Sequence, residues 1–169
     1  MVLDSGGVVV IPTDTVYGVA ARLDRPDAVG RLFEVKQRPR SKPIALLVPD
    51  LEAAQAIAEF SPEAVQRAAE WPGALTLVLR SRRPLPVLGG DGSTVGVRMP
   101  DHAWTLQLMR RVGPLPTTSA NPSGSPTAAS IEEIVDELGD GVDLYVDGGR
   151  LEAPPSTVVS LIGKPEILR

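Results

Sequence analysis

The stretch KQRPRSKP, Lys36 to Pro43, puts four cations and two prolines into eight residues of a chain whose formal net charge is −4. Crowded cations repel one another unless an anion neutralises them. A guanidinium fork meets phosphate or carboxylate oxygens two at a time, and lysine adds a point charge. Lys36 and Arg38 fall at the expected end of a helix, and Arg40 and Lys42 follow in a segment set by Pro39 and Pro43. Cations at a helix C-terminus are favourable for dipole reasons alone, so the stretch reads either as a site for an anion such as a nucleotide triphosphate or as a solvated basic end. Three further polar stretches could complete a site. PTDTVYG (Pro12–Gly18) runs two threonine hydroxyls and Asp14 out of an apolar run, TTSANPSGSPT (Thr117–Thr127) is rich in hydroxyls and an amide, and APPSTVV (Ala153–Val159) sets Ser156 and Thr157 before another apolar run. Such loops can cradle phosphates through side chains and backbone N–H groups, although each alone reads equally as a turn.

Other chemistries are excluded by what the chain lacks. It has no cysteine, hence no disulfide, thiolate metal site or cysteine nucleophile, and its one histidine, His102, cannot build a multi-histidine metal site. His102 in MPDHAW reads as a helix-start residue at the edge of a pocket. No GxxxxGKS, GxGxxG or GxSxG motif occurs. Six aromatic residues make a poor stacking platform for single-stranded nucleic acid, and an isoelectric point near 5.0 argues against general charge-driven binding to it. The start MVLDSGG has no signal-like basic and apolar regions, and no apolar run nears the roughly 18 residues of a membrane span. The expected compartment is the cytoplasm, with no membrane contact.

The elements that must position these residues alternate along the chain. GGVVVI (Gly6–Ile11), PIALLV (Pro43–Val48), LTLVL (Leu75–Leu79), TVGVRM (Thr94–Met99), VDLYVDGG and STVVSLI read as strands. Helices are expected from Pro26 until Pro39 ends the first, after Asp50, after the cap Ser61, after Pro100 until the stop Gly113, and from the capping box Ser130–Glu133 to Gly139. The expected class is α/β: one domain over residues 1–169, with a twisted, mostly buried mixed sheet flanked by helices and a concave ligand cleft.

In this order, PTDTVYG, KQRPRSKPI, WPGALTLVL, VGVRMPDH, TTSANPSG, and DGG at Asp147–Gly149 with STVV at Ser156 resemble the YrdC family, in its short single-domain form. The resemblance runs from Gly7 to Arg169. It implies an enzyme that forms threonylcarbamoyl-AMP and pyrophosphate from L-threonine, bicarbonate or CO2, and ATP, for tRNA modification. A separate tRNA threonylcarbamoyl transferase would take the product. By resemblance Lys36 and Arg38 form the family's Lys-x-Arg motif, hold phosphates and carry the catalysis, and Lys42 lies near the nucleotide. Thr94, Ser119, Asn121, Thr127 and Arg169 match the nucleotide side. Thr15, Arg98, Thr117 and Ser156 match the threonine side, with Arg98 on the carboxylate. Mg2+ would arrive with ATP, carried mainly by its phosphates, and no residue is assigned to metal. Leu47 stands near where some relatives have a histidine, and Ala74 where many have a second proline. Lys36 and Arg38 are both expected at the rim of the core.

Two rival readings share these residues. One is an RNA-binding or ribosome-associated module that uses the same basic concavity. The other is a hydrogenase-maturation carbamoyltransferase domain, whose larger relatives carry zinc-finger-like parts that a cysteine-free domain cannot supply.

Overall fold

Two-residue periodicity divides each strand between two environments, and the division decides where a ligand can sit. The computed structural model describes residues 1–169. In chain order the elements are β1 (Val9–Ile11), β2 (Gly18–Ala20), α1 (Pro26–Val35), β3 (Ala45–Leu47), α2 (Leu51–Ile57), α3 (Pro62–Ala68) and β4 (Leu75–Arg80). They continue with β5 (Thr94–Arg98), α4 (Ala103–Val112), β6 (Leu115–Ser119), α5 (Ile131–Leu138), β7 (Leu144–Tyr145), β8 (Thr157–Ser160) and β9 (Glu166–Ile167). The nine strands form one mixed sheet in the order β7-β1-β2-β6-β3-β5-β4-β8-β9. The pairs β1/β7, β3/β5 and β4/β8 are parallel, and the other pairs are antiparallel. No helix is long and apolar enough to cross a membrane.

One sheet face is covered across its central strands. Val10, Val19, Leu46, Leu77, Val97 and Val159 pack there with Val29, Leu32 and Phe33 of α1, Ala64 and Ala68 of α3, and Ile134 and Leu138 of α5. Burial of each large aliphatic side chain contributes about 2 kcal/mol. The opposite face is covered over only part of its width. Val9, Ile11, Ala20, Leu47 and Leu115 meet Leu106 and Met109 of α4 there. Further along, the same face carries Gly18, Ala45, Thr76, Gly96 and Thr117, and these floor a cavity.

The caps largely follow the sequence. The side chains of Asp50, Ser61, His102 and Ser130 each accept from a backbone N–H in the first turn of their helix. Glu133 reaches back to the N–H of Ala129 at 2.9 Å rather than to that of Ser130. Three strands were not expected: β2, β9, and β6, whose last residues lie in the stretch read as a loop. The end of α1 also differs, because Pro39 does not terminate it. Gln37 adopts the left-handed conformation (φ 50°), and two bonds close a Schellman cap: Arg38 N–H to Phe33 O at 2.8 Å and Gln37 N–H to Glu34 O at 2.9 Å. This turn separates the directions of Lys36 and Arg38.

A left-handed glutamine lacks the conformational freedom of glycine, and Gln37 is exposed with no side-chain hydrogen bond. Gln37→Gly should therefore raise stability by about 0.5–1 kcal/mol in urea denaturation. A loss of stability would show that the side chain, not the cap, is what this position needs.

Candidate active site

The cavity has a volume of about 470 Å³, within the usual range for small-ligand sites. Its floor of Gly, Ala and Thr lets a ligand approach the sheet closely. A Cβ built on Gly96 would lie 3.3 Å from Ala45 Cβ and 3.5 Å from Thr76 Cγ2, so even one added methyl would crowd this floor. Three guanidiniums, Arg38, Arg98 and Arg169, line the cavity with the hydroxyls of Thr15, Thr94, Thr117, Ser119 and Ser156, and no aspartate or glutamate lines it.

Arg98 ends β5 and is the most constrained of the three. Nε donates to Gly73 O at 3.0 Å, Nη1 to Thr15 Oγ1 at 2.9 Å, and Nη2 to Asp14 Oδ1 at 2.5 Å. Burial pushes the guanidinium below its ordinary value, while the Asp14 carboxylate pulls it back up. Thr15 is itself fixed by Thr13, whose Oγ1 lies 3.1 Å from Thr15 Oγ1 and donates to Val16 O at 2.6 Å. Arg38 is held by carbonyls of the following segment, Nε to Lys42 O and Nη2 to Pro43 O, each at 2.9 Å. Burial and the nearby charge of Arg169 lower its affinity for its proton. Arg169 donates to Ser156 O at 3.2 Å, and Ser156 Oγ is 2.9 Å from Thr76 Oγ1. Tyr17 braces the far wall, donating to Gly149 O at 2.6 Å and accepting from Gly148 N–H at 2.9 Å.

Eight of the twelve residues expected around a ligand line this one cavity: Thr15, Arg38, Thr94, Arg98, Thr117, Ser119, Ser156 and Arg169. Lys36, Lys42, Asn121 and Thr127 do not. Lys42 is exposed, and Arg40 stacks its guanidinium 4.8 Å from the centroid of Phe33. His102 caps α4 and takes no part in the cavity. Lys36 corrects the expectation of a rim position, because it is 1% exposed and sits inside the 119–125 loop. Asp14 and Thr76 had no assigned role from sequence. Their signals were a carboxylate between two hydroxyls at a strand exit, and a lone hydroxyl in an apolar strand.

A nine-stranded mixed sheet flanked by helices on both faces, with a cleft beside α4 on one of them, defines a YrdC-like α/β domain. The chain belongs to the Sua5/YciO/YrdC family, whose model, described as "Telomere recombination", matches residues 1–169. A Mycobacterium tuberculosis protein is 38% identical over 172 residues, 99% of this chain and 79% of its own length. Vibrio vulnificus threonylcarbamoyl-AMP synthase is 36% identical over 152 residues, 86% of this chain and 82% of that protein. The crystal structure of P. abyssi Sua5 complexed with L-threonine superposes with a TM-score of 0.91 at 35% identity over 99% of this chain. This chain spans about half (51%) of that longer protein.

Burial, then the charge of Arg38, pushes the Lys36 ammonium down to about 8, with Glu137 pulling the other way. Below that pH the folded and unfolded chains both hold the proton. Between about 8 and the ordinary lysine value of about 10.4 the unfolded chain binds more protons, so stability should rise with pH. Urea denaturation of the wild type at pH 7.5 and 9.5 should show a gain of about 2 kcal/mol that is absent from Lys36→Met. An equal pH dependence in both proteins would assign it to other groups.

Proposed function

We propose that the chain is a threonylcarbamoyl-AMP synthase, a nucleotidyltransferase that joins L-threonine, bicarbonate or CO2, and ATP, and releases pyrophosphate. The observation that carries this reading is the convergence of three guanidiniums on one small cavity that no aspartate or glutamate lines. Such a cavity suits a ligand set with several negative charges, and its walls offer no cysteine or histidine nucleophile. Membership of the family, the name of the Vibrio vulnificus relative and the threonine bound by P. abyssi Sua5 support the same assignment.

In this reaction the threonine amine forms an N–C bond to CO2 and loses a proton to solvent. An oxygen of the resulting carbamate then attacks the α-phosphorus of ATP, and pyrophosphate departs with the electrons of the broken P–O bond. No covalent enzyme intermediate is required, so positioning and charge stabilisation carry the rate. Arg98 has spent three of its five N–H groups on Gly73, Thr15 and Asp14 and keeps two for the threonine carboxylate. Thr15 bonds that fork directly; Thr117 is assigned to the same end, and Ser156, which is bonded to Arg169, joins it to the phosphate end. Arg38 and Arg169, with Thr94 and Ser119, hold the nucleotide phosphates and stabilise the charge that passes to pyrophosphate. The cavity walls offer a cation no anionic ligand, so Mg2+ would be carried by phosphates and water, and no step is assigned to it.

The reading implies a cytoplasmic enzyme whose labile product passes to a separate tRNA transferase. A cleft of about 470 Å³ suits a small substrate better than an RNA backbone, which would follow an extended basic stripe. Purified protein should release pyrophosphate from ATP only when threonine and bicarbonate are both present. Salt-steep RNA binding without that release would replace the enzyme by an RNA-binding module. Arg98→Lys, which loses the fork, should raise KM for threonine at least about tenfold and leave KM for ATP within about twofold. Equal rises in both would remove Arg98 from the threonine end.

A further inference from the structure

The chain's three lysines are Lys36, Lys42 and Lys164, and only Lys36 is buried. It has no carboxylate partner, and it lies behind the cavity wall rather than on it. Its Nζ donates to the main-chain carbonyls of Ser119 and, at 2.6 Å, of Asn121. Asn121 Oδ1 lies 3.1 Å away and Ser119 Oγ 3.3 Å. The main-chain carbonyl of Lys36 accepts from Ser123 N–H at 2.9 Å. Asn121 Nδ2 then donates to Pro122 O at 3.1 Å and Ser125 O at 2.6 Å, closing the loop on itself. One residue thus meets the 119–125 loop at three positions. An ammonium has three protons, and here every one has an oxygen of this loop to meet. Converging carbonyl dipoles need a compact multiple donor at their focus, which an ammonium supplies and a planar guanidinium does not.

We propose that Lys36 is a positioning residue: it folds the 119–125 loop round its ammonium from behind the cavity wall, and so fixes the Ser119 hydroxyl at the nucleotide end. A direct phosphate ligand would have to give up loop oxygens to turn toward its anion, whereas Arg38 already lines the cavity with three N–H groups unspent. The nucleotide arm of this inference rests on the proposed function; the loop arm does not.

Two experiments decide it. Acetic anhydride labelling of the wild type, read by mass spectrometry with and without saturating ATP, should modify Lys42 and Lys164 readily and Lys36 at least about tenfold more slowly in both states. Rapid labelling of Lys36 in the free protein, with or without protection by ATP, would overturn the proposal. In Lys36→Met, amide hydrogen exchange across 119–125 should quicken at least about tenfold without any ligand. ATP affinity should fall at least about tenfold, and threonine affinity should stay within about threefold. Wild-type exchange in that loop combined with lost ATP affinity would make Lys36 a phosphate ligand and overturn the proposal. If Lys36→Met does not fold, the labelling of the wild type decides alone. Failure of the wild type to bind ATP, with the loop results as expected, would sink the proposed function and leave the role of Lys36 in the loop intact.

Discussion

Three guanidiniums facing one small cavity repel each other, and the rest of the site is arranged to hold them there. Each is pinned differently, and the differences decide what charge remains for a ligand. Arg98 alone has a carboxylate, Asp14, which lowers its net charge while Gly73 and Thr15 fix the plane of the fork. Arg38 and Arg169 are tied mainly by carbonyl oxygens, which orient them without neutralising them. The cavity therefore carries uncompensated positive charge, with one moderated fork at the end where Thr15 sits. That asymmetry is what a ligand pair made of one carboxylate and one polyphosphate would need.

The fold delivers this arrangement through strand alternation and one unusual helix end. Alternation sends Leu46, Leu77 and Val97 into the larger core and leaves Ala45, Thr76 and Gly96 on the opposite face, where α4 does not reach. Small side chains there make the sheet itself the floor. At the end of α1 the left-handed Gln37 sends Lys36 inward and Arg38 toward the cavity. The basic stretch is thus three structures: an interior ammonium, a cavity guanidinium, and a surface pair in which Arg40 stacks on Phe33.

The sequence disclosed most of the fold because its long elements carry strong signals: apolar β-branched runs, Ser and Asp caps, and glycine stops. β2 escaped because three residues inside a polar stretch have no readable period. β6 escaped because Pro116 sits in it, and proline argues against an interior strand. The structure tolerates it because the Pro116 nitrogen faces the same side as its carbonyl, which accepts from Ala21 N–H just beyond the end of β2, so the missing donor falls where the ladder has run out. At the site, eight of the twelve residues picked out by motif order line the cavity, yet residue type could not say which cations face it. Lys36 and Arg38 look alike in sequence, and only the backbone turn between them assigns one to the interior and one to the cavity. Asp14 was invisible as the partner of Arg98 because 84 residues separate them.

The central claim is that the cavity separates a carboxylate end at Arg98 from a phosphate end at Arg38 and Arg169. A crystal structure of this chain with L-threonine and a non-hydrolysable ATP analogue tests that most directly. The account expects the threonine carboxylate within hydrogen-bond distance of Arg98, phosphate oxygens on Arg38 and Arg169, and the Lys36 ammonium still inside the 119–125 loop. A nucleotide bound outside this cavity, or threonine seated away from Arg98, would contradict it.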